Sequence, residues 1–253
     1  MTRFAIIAGT GFETLDELVI TDQHKQSTAW GAPSAPIRAG ELRGEQVLFL
    51  SRHGLEHQFA PHEVNYRANI AALKEAGAEA ILAVYTVGGI TAANQVPGTL
   101  AIPDQIIDYT WGRPQSYSMT GEVIHVDFTE PFDAALRARL LAAARAEVAA
   151  EGEEGGAPVP IVDGGVYGAT QGPRLESAAE VNRMERDGCD LVGMTGMPEV
   201  GLACELGLPI AGICLVVNPA AGRGGISMEE IHAVAAAGRS RILKVLARAV
   251  AGA

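Results

Sequence analysis

The feature that most constrains this chain is a recurring unit: a short apolar run that ends in glycine, a hydroxyl or a basic residue. Phe4 to Ala8 runs into Gly9-Thr10-Gly11, and Val47 to Leu50 into Ser51-Arg52-His53-Gly54. Ile81 to Val84 runs into Tyr85-Thr86-Val87-Gly88-Gly89, Leu191-Val192 into Gly193-Met194-Thr195-Gly196, and Pro209 to Val217 into Asn218-Pro219. Apolar runs without polar alternation mark strands covered on both faces. Between them lie helix-period segments: Val64 to Ala76 closed by Gly77, an alanine-rich stretch from Pro131 to about Ala150, a helix reaching Asp187, and Pro198 to Leu206. A last helix runs to near Ala249, with Ser227 and Glu230 at capping-box spacing. This alternation predicts an α/β fold. In a parallel sheet the strand carboxyl ends share one edge, so these segments should line one crevice.

The remaining stretches read less regularly. Residues 21 to 36, with Gly31, Pro33 and Pro36, read as an extended loop. Leu100 to Ile107 reads as a strand interrupted by Pro103, and Ile161 to Tyr167 as another strand. The acidic, glycine-rich segment 151–158 reads as a surface loop and not a linker, because the strand-helix rhythm resumes after it. The expectation is one domain over 1–253.

Composition narrows the function. With 48% hydrophobic and 19% charged residues over 253 positions, a sizeable core is available. A net charge of −11 argues against nucleic acid or an anionic membrane as the partner, although a locally basic site remains open to a small anion. The three cysteines, Cys189, Cys204 and Cys214, show no ligand or disulfide spacing and read as buried thiols in a reducing cytoplasm. His53, His57 and His62 do not share one helical face, so they predict no metal site.

The run ends carry the chemistry. Thr10 with its glycine-rich turn offers amides and a hydroxyl, Arg52 a fixed fork of donors, and His53 a neutral or charged imidazole. Thr86, Met194, Thr195 and Asn218 add hydroxyls, turn amides, a thioether and an amide. There is no Ser or Cys nucleophile with a base partner and no carboxylate pair suited to hydrolysis. Displacement by bound phosphate, with stabilisation of a leaving group, fits the set.

Taken with IIAGTG (6–11), WGAPSAP (30–36), FLSRHGLEH (49–57), PHEVNYRANI (61–70), IDYTWGRPQSY (107–117), HVDFTEPF (125–132), TQGPRLES (170–177), GMTGMPEVGLACE (193–205) and LVVNPAAG (215–222), the chain resembles the purine nucleoside phosphorylase and methylthioadenosine phosphorylase family over nearly its full length. The resemblance implies a single α/β domain with a twisted mixed β-sheet flanked by helices, assembled as a homotrimer with sites at subunit interfaces. It implies reversible phosphorolysis of a purine nucleoside, with inorganic phosphate as co-substrate and no cofactor. It places Thr10, Arg52, His53, Thr86 and Thr195 at phosphate, Met194 under the ribose, and Glu176 and Asn218 near the base. His125 matches a residue lent to the neighbouring subunit's sugar pocket. Catalysis is expected of Asn218 and His53. Tyr85-Thr86 departs from the family's usual Asn-Ala or Thr-Ala, and the bulk of Tyr85 leaves its packing open.

Two positions bear on the substrate. Adenosine-type members carry an acid at the Asn218 position and another two residues on; here the pair is Asn218 and Ala220. An amide suits a 6-oxopurine, in which charge builds at N7 and O6 as the base departs. The resemblance also implies a 5′ position near the start of the last helix, where members that use ordinary nucleosides carry a histidine for the 5′-hydroxyl and methylthio-nucleoside members an apolar residue. Counting back from Ala237-Gly238-Arg239 puts Ile231 there, with His232 next door. The expectation is methylthioinosine converted to hypoxanthine and 5-methylthioribose 1-phosphate; inosine or guanosine, and methylthioadenosine, are the alternatives.

Overall fold

A computed structural model describes residues 3–12, 18–24, 27–153 and 159–252. Among them, eleven strands form one mixed sheet and five α-helices cover it. The strands are β1 (Phe4–Ala8), β2 (Leu18–His24), β3 (Ile37–Leu42), β4 (Glu45–Ser51), β5 (Ala80–Gly89), β6 (Leu100–Ile102), β7 (Gln105–Asp108), β8 (Ile161–Asp163), β9 (Val166–Ala169), β10 (Leu191–Gly193) and β11 (Ile210–Pro219). The helices are α1 (Tyr66–Glu75), α2 (Ala134–Glu153), α3 (Ala178–Asp187), α4 (Gly196–Glu205) and α5 (Met228–Ala251).

β5 is the hub. It is ten residues long and buried except at Thr86. It pairs in parallel with β1 on one side and β11 on the other, and its last residues also pair with β10. From this hub the sheet branches: one arm runs β10-β9-β7, the other β11-β6-β8. The branch explains two sequence segments that were expected to be single strands. The 100–107 run breaks at Pro103-Asp104 and the 161–167 run at Gly164-Gly165, so each supplies one strand to each arm. Gly164 and Gly165 take positive φ of 89° and 108°, and the Gly165 amide donates to Asp104 Oδ1 at 2.9 Å, which ties the two bends together.

Residues 18–24, partly inside the expected 21–36 loop, instead form β2, antiparallel to β3. β2 is an outer strand with only Leu18 buried, so it carries no apolar run to read. The 154–158 part of the expected acidic loop lies outside the described residues, and α2 extends through Glu153.

Period-two burial splits the core between the two faces of the sheet. Phe4, Ile6 and Ala8 of β1 join Leu82, Ile213 and Leu215 under α2 and α5, with Leu140 and Leu246. Ala5 and Ile7 join Leu48 and Ile81 under α1 and α4, with Ile70 and Leu202. α2 and α5 are also tied by charge: the Glu147 carboxylate, 4% exposed, meets Lys244 Nζ at 3.0 Å and Arg248 Nε at 2.9 Å. Ser177 and Glu180 form a full capping box on α3, whereas on α5 Ser227 accepts from the Glu230 amide.

Within the second core lies Tyr85, fully buried and filling a hollow at Gly212 of β11. A Cβ added at Gly212 would stand 2.7 Å from Tyr85 Cε2. Gly212→Ala should therefore overpack this layer and lower stability by about 1–3 kcal/mol. Urea unfolding checks it; an unchanged midpoint would show that the Tyr85 ring has room to move.

Candidate active site

Four adjacent strands, β4-β1-β5-β11, run parallel, so their carboxyl ends at Ser51, Ala8, Gly89 and Pro219 reach one edge as expected. β10 does not share that direction. It pairs antiparallel to β5, Leu191 opposite Gly89 and Val192 opposite Gly88, and so carries Met194 and Thr195 back over the crevice from the far side. A cavity of about 520 Å³ lies between these approaches, lined by Thr10, Arg52, His53, Thr86, Met194, Thr195, Glu176, Asn218, Ile231 and His232. The volume is in the range of small-ligand sites.

At its floor is a buried ion pair. Arg52 is 1% exposed and Glu199, at the start of α4, is 0% exposed. Arg52 donates from Nε to Glu199 Oε2 at 2.7 Å and from Nη2 to Oε1 at 2.8 Å, while Nη1 donates to the Val84 carbonyl at 3.1 Å. Burial alone would lower the arginine's pKa; the charge and hydrogen bonds of Glu199 outweigh it and hold the guanidinium firmly protonated. Of the five guanidinium N–H groups, these bonds use three, leaving donors for an anion. Gly9 explains how close such an anion can come: a Cβ there would lie 2.9 Å from His53 Cδ2 and 3.1 Å from Arg52 Nη1.

His53 Nδ1 lies 2.8 Å from the Phe59 carbonyl. A carbonyl only accepts, so Nδ1 carries the proton and the Nε2 edge is set toward Gly9. Opposite, Thr195 is the N-cap of α4 but its hydroxyl makes no capping hydrogen bond, which leaves it to a ligand in the cavity. The amides of Thr195 and Gly196 instead donate to the Tyr167 hydroxyl at 3.3 and 3.4 Å. The Tyr167 ring is why this turn needs two glycines: a Cβ on Gly193 would collide with its hydroxyl, and one on Gly196 would lie 2.9 Å from the ring.

The other walls of the cavity are set by neighbouring loops. The β5-β11 register slips between Val216 and Asn218, a bulge that turns the half-buried Asn218 toward the cavity. Asn218 Nδ2 donates to the Pro219 carbonyl at 2.6 Å, and an amide nitrogen has a second hydrogen to give. Glu176 accepts from the Thr170 hydroxyl at 2.6 Å, which orients its carboxylate. Met194 packs against Gly172, where a Cβ would meet its sulfur. At the remaining end, Ile226, Met228 and Ile231 line the wall with His232; Ile231 is buried and His232 exposed. Both candidates for the 5′ position thus face the same cavity. His125 is not brought to this cavity: it lies exposed in the excursion between β7 and α2.

Arg113 was missed as a site residue. It lies inside the WGRPQS segment and is 6% exposed. Its guanidinium donates to the carbonyls of Met194 at 2.9 Å, Met197 at 2.6 Å, Thr170 at 3.2 Å and Gln171 at 2.8 Å. It therefore clamps the Met194-Thr195 turn to the loop that carries Glu176. A buried backbone clamp gives no local sequence signal beyond an arginine in a loop.

Against known proteins, a family model described as the phosphorylase superfamily matches residues 3–251. The chain belongs to that superfamily. A protein of Pseudomonas syringae pv. tomato named "Probable S-methyl-5′-thioinosine phosphorylase" is 50% identical, covering 98% of each chain. A Thermococcus kodakarensis protein named "Probable 6-oxopurine nucleoside phosphorylase" is 38% identical over 88% of this chain and 81% of its own. Among solved structures, methylthioadenosine phosphorylase from Schistosoma mansoni in complex with adenine superposes with a TM-score of 0.89 at 29% identity, covering 99% of this chain and 91% of that one. The nucleoside phosphorylase fold and the class of enzyme expected from the sequence both stand.

Arg113→Lys keeps the charge but loses the fork. At least one carbonyl should be left unpaired, at a cost of about 1–3 kcal/mol. Thermal or urea unfolding and turnover on the same preparation check this, with turnover expected to fall about tenfold or more. Wild-type stability with wild-type turnover would show that the clamp is dispensable.

Proposed function

We propose that this chain catalyses phosphorolysis of S-methyl-5′-thioinosine, releasing hypoxanthine and 5-methylthioribose 1-phosphate. The observation that carries the reading is the polar pairing at the base end of the cavity: Glu176 and Asn218, with Ala220 where a second acid would favour adenine. A carboxylate only accepts, so Glu176 suits a base that presents N1–H. Hypoxanthine does so; adenine presents an unprotonated N1. The names of the relatives in Pseudomonas syringae and Thermococcus kodakarensis support the same base class. Ile226, Met228 and Ile231 support an apolar 5′ substituent.

Phosphate sits among Thr10, Arg52, His53, the Thr86 backbone and Thr195. One phosphate oxygen attacks C1′ as the N-glycosidic bond lengthens, and the bonding electrons pass to the purine. Asn218 donates to the N7/O6 side as negative charge gathers there, while Glu176 holds N1–H. Fixed donors aimed at developing charge are a large source of rate enhancement. His53, its Nδ1 bonded to the Phe59 carbonyl, turns its Nε2 edge toward the phosphate. Met194 covers the ribose face. The chain acts as one domain, and His125, exposed on its own chain, completes the sugar pocket of a neighbour in a homotrimer of the cytoplasm. Purine nucleoside and phosphate are its partners, with no cofactor.

A second reading is favoured by one contact: His232 also faces the cavity and could meet a 5′-hydroxyl, as an inosine phosphorylase would require. Turnover of methylthioinosine, inosine and methylthioadenosine, with and without phosphate, separates the readings. Methylthioinosine should lead, and only when phosphate is present. Preference for inosine would overturn the 5′ assignment, and turnover without phosphate the reaction class. Asn218→Asp should shift the 6-oxo to 6-amino activity ratio at least about tenfold toward 6-aminopurines, since an unmade buried hydrogen bond costs about 1–3 kcal/mol. An unchanged ratio would contradict the role of Asn218.

A further inference from the structure

Tyr85 belongs to no part of the mechanism above, yet it touches the group on which phosphate binding depends. Its hydroxyl donates to Glu199 Oε1 at 2.9 Å, the same oxygen that accepts from Arg52 Nη2 at 2.8 Å. Its ring lies beneath the Arg52 guanidinium, 4.9 Å from ring centre to Cζ. On its other side it packs on Tyr167 with ring centres 5.3 Å apart, and Tyr167 holds the amides of the Thr195 turn. Tyr85, on β5, thus bridges the two approaches to the crevice, the end of β4 with Arg52 and the end of β10 with Thr195. The fold makes room for it specifically: Cys214 stands opposite it in the β5-β11 register, and the hollow at Gly212 takes its ring.

A carboxylate that shares its charge between two donors pulls less strongly on either one. With Tyr85 bonded, Glu199 is held in one orientation, its negative charge is partly met, and the guanidinium plane is pinned between carboxylate and ring. Burial and the adjacent Glu199 charge hold the Tyr85 phenol well above its ordinary pKa, so it remains a donor at neutral pH. We propose that Tyr85 is a positioning residue for phosphate, acting through Glu199 to keep the unpaired donors and positive potential of Arg52 directed into the crevice. The inference rests on the phosphate-site reading given above.

Tyr85→Phe tests it, because the ring still fills the Gly212 hollow and two arginine bonds to Glu199 remain. Two readouts are taken on the intact enzyme: KM for phosphate against KM for nucleoside, and the rise in Tm that inorganic phosphate alone produces. The expected result is a phosphate KM raised about tenfold, with a matching shift in the phosphate concentration needed to raise Tm, and a nucleoside KM within about twofold of wild type. Unchanged phosphate constants would overturn the inference while leaving the phosphate-site reading intact. A fall in kcat and Tm with both KM values moving together would also overturn it, by showing that the hydroxyl only supports packing. If the wild-type enzyme itself shows no dependence on phosphate, both the site reading and the inference fall.

Discussion

The rest of the site depends on the buried pair of Arg52 and Glu199. Taking two charges out of water is costly, and breaking such a pair by removing one partner typically costs about 3–5 kcal/mol. The geometry here offsets the cost as fully as side chains allow: two parallel donors, a third to a backbone carbonyl, and a tyrosine on the remaining side of the acid. The result is a fixed positive group at the bottom of a crevice in a chain whose net charge is −11. Local arrangement, and not overall charge, makes an anion welcome there. The pair also joins distant segments, the end of β4 and the start of α4, so the floor of the crevice and the fold are established together.

Architecture supplies the second constraint. Four parallel strands bring Gly9, Arg52, His53 and Thr86 to one edge, while short β10 enters from the opposite direction with Met194 and Thr195. A ligand is therefore approached from two sides. Small residues keep the gap open, and each has a named neighbour: Gly9 spares His53 and Arg52, and Gly193 and Gly196 spare Tyr167. Arg113 then fixes the spacing between the Met194-Thr195 turn and the loop that carries Glu176.

Much of this was legible in the sequence. The buried strands were visible because strands covered on both faces are apolar throughout, and their glycine-rich ends marked the crevice. β2 was not visible because an edge strand with one buried residue has no pattern to show. The two split strands were hidden because a bend at Pro103 or Gly164-Gly165 looks like a local interruption, and only the branched sheet gives it meaning. Thr10, Arg52, His53, Thr86, Met194, Thr195 and Asn218 were readable as chemistry at run ends, whereas Glu176, Ile231 and His125 came only from the family resemblance. Glu199, Tyr167, Tyr85 and Arg113 were not, because each acts through another residue. A buried acid in a helix or a tyrosine in a strand looks the same whether it packs or positions, until its partner is known.

The most direct test of this account is a crystal structure of the protein grown or soaked with inorganic phosphate. Phosphate should lie between the Gly9-Thr10 turn and Thr195, within hydrogen-bond distance of Arg52 Nη1, the Thr195 hydroxyl and His53, with the Arg52–Glu199 pair unbroken. Phosphate bound elsewhere, or bound with Arg52 swung away from Glu199, would contradict the claim that this buried pair builds the site.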